Sequence, residues 1–92
     1  MIAANFKRGD LWITLTYDDA HLPASRREAA AWVQAFFDRL RRLRRRKGRD
    51  LRYLYCTEHK HGDGRWHHHV LIDRTGKDFA DVLAAWGQGA VD

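Results

Sequence analysis

The chain has 92 residues and carries 17 Lys and Arg against 12 Asp and Glu, a formal charge of +5 before any of its six histidines is protonated. That length has room for one small domain over residues 1–92, and a domain of this size buries only about 60% of its unfolded surface. A hydrophobic content of 45%, with four Trp, three Tyr and four Phe, excludes a disordered tail and supplies one thin core. No apolar run approaches the roughly 18 to 20 residues that span a bilayer, and Met1-Ile2-Ala3-Ala4 is too short for a signal h-region, so a cytoplasmic protein with no membrane association is expected. The lone Cys56 excludes an internal disulfide and a zinc finger built on paired cysteines. The basic balance points to polyanionic partners.

Leu11 to Tyr17 alternates with period two, Leu11, Ile13, Leu15 and Tyr17 on one face and Trp12, Thr14 and Thr16 on the other, which predicts a strand. Asp18 to Ala24 supplies turn residues and Pro23, and Ser25 with Glu28 has the spacing of a capping box. Ala29, Val33, Phe36, Leu40 and Leu43 then recur at helical spacing, widened by Ala30, Trp32 and Phe37, which predicts an amphipathic helix from about Arg26 to Lys47 closed by Gly48. Leu51 to Glu58 and Trp66 to Ile72 read as two further strands, and the intervening His59 to Arg65, with Gly62 and Gly64, suits an antiparallel hairpin. Asp78 to Trp86 predicts a short helix with Phe79, Val82, Leu83 and Trp86 on its apolar side, ended by Gly87 and Gly89, and Ala90-Val91-Asp92 begins another strand. The order β-α-β-β-α-(β) predicts an α+β split βαβ fold, ferredoxin-like or RRM-like, whose antiparallel sheet has both helices on one face and the other face open.

His67 and His69 are two apart on a strand, so both rings point to one face with backbones about 6.6 Å apart. The hairpin sets Glu58 opposite His67, giving two imidazoles and a carboxylate that suit a divalent ion with open coordination positions. A one-residue slip would aim Thr57 at the site in place of Glu58. His68 faces the helix layer, as a core or rim histidine; His59 and His61 read as solvated loop residues, and Cys56 as a small apolar filler. Between Arg39 and Arg49 lie eight basic residues in eleven positions, with no acid between Asp38 and Asp50. Such a run is either a solvated helix face or a polyanion site; on the second reading Arg41, Arg42, Arg44, Arg45, Arg46 and Lys47 contact phosphates, joined by Arg65. Trp12, Thr14 and Thr16 share the open face, where the ring stacks on a base and the hydroxyls hold phosphate, or where Trp12 packs under a further C-terminal element.

Thr14-Leu15-Thr16-Tyr17 followed by Asp18, Asp19 and Pro23, the Arg-rich helix, Tyr53 to Glu58, and Gly64-Arg65-Trp66-His67-His68-His69 together resemble the replication-associated proteins of small single-stranded DNA phages, plasmids and integrated elements. These are HUH endonucleases of rolling-circle replication, and the resemblance runs from about Phe6 to Val91. It implies an RRM-like sheet with Mg²⁺ or Mn²⁺ on His67, His69 and Glu58, single-stranded or melted origin DNA as substrate, a bacterial host cytoplasm, and host replication proteins as further partners. His68 departs from the apolar residue usual between the two histidines. The family nucleophile, a tyrosine after the H-x-H strand, has no counterpart: Tyr17, Tyr53 and Tyr55 all precede His67 and by alternation face the helices. The chain is then either a fragment cut before the tyrosine helix or a binding relative without catalysis. A single-stranded nucleic-acid-binding module and a single-tyrosine transposase fragment are the alternatives, and oligomeric state is not set by the sequence.

Overall fold

The computed structural model describes residues 10–59, 65–73 and 78–92. The expected hairpin-loop residues His61, Gly62 and Gly64, and the resemblance upstream of residue 10, lie outside the described residues. Strand β1 (Leu11–Leu15), helix α1 (Arg26–Arg46), strands β2 (Tyr53–His59) and β3 (Trp66–Ile72), and helix α2 (Asp78–Trp86) follow in that order, with a single 3₁₀ turn at Asp19–His21. The sheet order is β1-β3-β2, and both pairings are antiparallel. At the C-terminus Val91 bridges to Leu15, and Thr14 and Asp92 exchange backbone hydrogen bonds of 3.0 Å, the start of a fourth strand on the outer edge of β1. The α+β split βαβ arrangement is therefore the observed fold.

One sheet face carries the core. Ile13, Leu15 and Tyr17 pack with Val70 and Ile72 against Val33, Phe36, Phe37 and Leu40 of α1 and Val82, Ala85 and Trp86 of α2. The period-two and helical patterns converge there because each element hides one apolar face. The N-cap works as the sequence indicates: Glu28 N–H donates to Ser25 Oγ at 3.1 Å, and Glu28 Oε1 accepts from Ala24 N–H at 3.3 Å. Gly48, at φ 68°, turns the chain out of α1 in a region that side chains with a Cβ disfavour.

Three boundaries and two faces differ from the sequence reading. The β1 ladder ends at Leu15, although Tyr17 keeps its inward face and is buried, and β2 starts at Tyr53 and runs on through His59. The inward face of α1 gains Arg44, which is fully buried. On α2 the expected stripe is rotated: Asp78, Val82, Ala85 and Trp86 point inward, while Phe79 and Leu83 are about half exposed. Polar anchors set that rotation. Asp78 Oδ1 lies 3.2 Å from Arg44 Nη2 at one end, and Trp86 Nε1–H donates to the Thr16 carbonyl at 2.8 Å at the other. Periodicity counts apolar side chains and is blind to such bonds. Beyond α2 the chain lies close on β1, and a Cβ on Gly89 would overlap the Thr16 carbonyl oxygen.

Candidate metal and nucleic-acid face

The uncovered face of the sheet is built in rows set by the strand register. Trp12, Leu71 and Leu54 stand opposite one another across β1, β3 and β2; the next row is Thr14, His69 and Cys56; then His67 faces Glu58. The expected pairing of Glu58 with His67 is the observed one, so Thr57 falls on the helix side opposite His68. Leu71 is buried between two exposed neighbours, Trp12 at 60% and Leu54 at 41%, which makes an apolar row open to solvent on a sheet face that could have been wholly polar. Trp12 is thus not packed beneath any described element. Cys56 is exposed opposite His69, so it fills no apolar space as expected. His59 ends β2 with its ring 4.5 Å from that of Trp66.

The three expected ligands share this face. Thr14 Oγ1 lies 3.4 Å from His69 Nδ1, which turns Nε2 of that ring toward β2, where it is 3.9 Å from Glu58 Oε1. Glu58 is exposed and its side chain is free to swing, and two imidazoles with one carboxylate suit a divalent ion that accepts nitrogen and oxygen donors. Among the described residues no three His, Cys, Asp or Glu groups already converge on one point. The donor set fits such an ion in type, face and register, with a side-chain rotation needed to close around it.

His68 is locked on the opposite side of the same strand. Its Nε2 lies 2.6 Å from the Tyr17 hydroxyl and its Nδ1 2.9 Å from Thr57 Oγ1. Burial, then the nearby His67 and His69 charges, pull its pKa down to about 4, so it is neutral and carries one N–H. With Tyr17 donating to Nε2, Nδ1–H donates to Thr57. Burial, reinforced by Glu28, pushes the Tyr17 phenol above its ordinary range. Tyr53 stacks on Phe37 at 3.8 Å and Tyr55 accepts from Gln34 Nε2 at 3.0 Å, so all three tyrosines lie on the helix side, as alternation predicts. Sequence reasoning missed the Tyr17–His68–Thr57 chain. Its signal was a histidine and a threonine at inward positions of adjacent strands, where apolar residues are the rule.

The expected phosphate contacts divide. Arg42, Arg45 and Arg46 are exposed on α1. Arg41 pairs with Asp38 at 3.0 Å and Lys47 with Asp81 at 2.6 Å, both at the surface. Arg44 departs from the expectation: its guanidinium is 1% exposed, held by Asp73 Oδ1 at 2.5 Å and Asp78, and is no part of the exposed basic surface. The acids absent from the local sequence arrive from α2 and the end of β3. Arg65 is likewise engaged, donating to the Tyr17 carbonyl at 3.2 Å and to Asp19, which ties the start of β3 to the turn after β1. Thr14 faces the open side, whereas the Thr16 hydroxyl donates to the Ala90 carbonyl at 3.3 Å. Arg49 and Arg52, left out of the expected interface, are exposed just beyond α1. Among the described residues no helix is long and apolar enough to cross a membrane.

The sequence model of a family described as Replication-associated protein ORF2 matches residues 10–92. No curated protein and no solved structure gives a match.

Proposed function

Because the chain belongs to the replication-associated protein ORF2 family, we propose that its open sheet face is the metal-binding part of an HUH-type nicking site acting on single-stranded or locally melted origin DNA. The observation that carries this reading is the register that sets Glu58 opposite His67, with His69 on the same face and 3.9 Å from Glu58. His67, His69 and Glu58 would hold Mg²⁺ or Mn²⁺, and such an ion supplies positive charge against the phosphate to be cut. The chain's own groups do the rest. Thr14 orients the His69 ring, Trp12 and Leu54 offer a surface on which a base stacks, and Arg42, Arg45 and Arg46 draw in the backbone. None of Tyr17, Tyr53 and Tyr55 offers its hydroxyl to this face, so the attacking oxygen belongs to a group other than these three.

Expressed from its natural reading frame, the protein should nick single-stranded origin DNA in Mn²⁺, with His67→Ala and His69→Ala inactive; full activity in both variants sinks the reading. The position of the three tyrosines favours a second one, a single-stranded DNA-binding module without catalysis. That module would bind DNA equally well in Mn²⁺ and in EDTA and would cut none.

A further inference from the structure

At the end of β2 away from Glu58, the last turns of α1 and the segment entering β2 wall a cleft of about 380 Å³ lined by Arg41, Arg45, Arg49, Asp50, Leu51 and Arg52. Arg41 and Arg45 are four apart and share one side of the helix. The facing wall is held by the buried Arg44, whose Nη1–H donates to the Asp50 carbonyl at 3.1 Å. Asp73, Arg44's ion-pair partner, accepts from Arg52 N–H at 2.9 Å, and its own N–H donates to the Arg52 carbonyl at 3.1 Å. The same buried charge thus braces both edges of an arginine-lined surface. Among the described residues Arg41 pairs with Asp38, and no carboxylate is within ion-pair distance of Arg45, Arg49 or Arg52. Four guanidiniums around a cleft with the carboxylate of Asp50 alone repel one another until an anion enters. Guanidinium forks match phosphate oxygens two at a time. The apolar lining is Leu51 alone, which suits a backbone better than a base.

Position identifies the anion. Along β2, Leu54 lies four residues and Arg52 six residues from Glu58, about 13 and 20 Å at the rise of a strand. A single strand that starts at the metal trio and crosses the Trp12–Leu71–Leu54 row therefore heads toward this cleft. We propose that Arg41, Arg45, Arg49 and Arg52 form a phosphodiester-backbone site that anchors single-stranded DNA where it leaves the sheet face. The proposal rests on the reading of that face as the DNA site and adds a second contact to it.

The test is fluorescence anisotropy in EDTA with oligo-dT too short to reach from sheet to cleft, about 5 nucleotides, and with one of about 20 that spans both. Arg45→Gln/Arg49→Gln should weaken binding of the long oligonucleotide at least tenfold and reduce the magnitude of its salt slope by about 1.4, from roughly 0.7 per lost contact on a single strand. The short oligonucleotide should bind within twofold of wild type. Arg45→Lys/Arg49→Lys should keep the slope and lose part of the affinity, which separates charge from fold. Unchanged affinity and slope for the long oligonucleotide in the Gln variant overturn the proposal. Failure of the metal reading is seen elsewhere, as an Mn²⁺ titration that His67→Ala leaves untouched, and does not enter this metal-free comparison.

Discussion

The hydroxyl of Tyr17, two residues beyond the end of β1, lies 2.6 Å from Nε2 of His68 at the centre of β3. Both side chains are buried, and Trp86 closes over them with its ring 5.0 Å from Tyr17 and 5.9 Å from His68. This contact fixes which side of β3 is inside. With His68 held inward by Tyr17 and Thr57, His67 and His69 are obliged to stand on the open face, so the polar core contact orients the two candidate ligands.

Removing the hydroxyl should therefore cost stability out of proportion to one oxygen atom. Tyr17→Phe leaves His68 with an unsatisfied buried nitrogen, a loss of about 1–3 kcal/mol. Replacing both partners, as Tyr17→Phe/His68→Leu, should recover much of that loss, because no polar atom is then stranded. A double-mutant cycle by urea denaturation reads the coupling, and additive single effects would refute it.

The same burial makes the fold acid-sensitive. The His68 imidazole titrates at about 4 in the fold against 6.5 when unfolded. Between those values the unfolded chain holds the extra proton, so stability falls as pH drops through the window and is fully retained above it. The total is on the order of 3 kcal/mol from one group. In EDTA, the difference in stability between wild type and His68→Leu should therefore shift steadily against wild type from pH 6.5 to pH 4; a difference independent of pH contradicts this account.

Arg44 and Arg45 are neighbours in sequence with opposite duties. Arg44→Leu leaves Asp73 and Asp78 without their buried partner and should destabilise by about 3–5 kcal/mol. Arg45→Gln, at the surface, should change stability by less than about 0.5 kcal/mol. Thermal melts of the two variants decide it, and equal melts would show that Arg44 carries no structural charge pair.

Trp12 should act on DNA and not on the fold. Its side chain is 60% exposed, so Trp12→Ala should leave the melting temperature near that of wild type while weakening single-stranded DNA binding by about 1–3 kcal/mol, the usual loss of one base stack. Undiminished affinity would remove the apolar row from the interface.

What the sequence revealed follows from which interactions are periodic. The strand alternation of Trp66 to Ile72 set the β3 limits to the residue, and hairpin logic found the register of Glu58 with His67. The capping box at Ser25 and the left-handed Gly48 were equally readable, because each is a local requirement of the backbone. The rotation of α2 was not, since Asp78 reaches Arg44 across 34 positions of sequence and Trp86 reaches Thr16 across 70. For the same reason a run of basic residues looked uniform when one member, Arg44, is a core residue. Charge density is legible in a sequence; which charge finds a distant partner is decided by packing.

Calorimetric titration of the chain with Mn²⁺, repeated on His67→Ala, His69→Ala and Glu58→Gln, tests the central claim most directly. One ion should bind per chain, with binding lost in both histidine variants and weakened in Glu58→Gln. Absence of Mn²⁺ binding by the wild-type chain, or binding that survives the loss of either histidine, would contradict the assignment of the open face as a metal site.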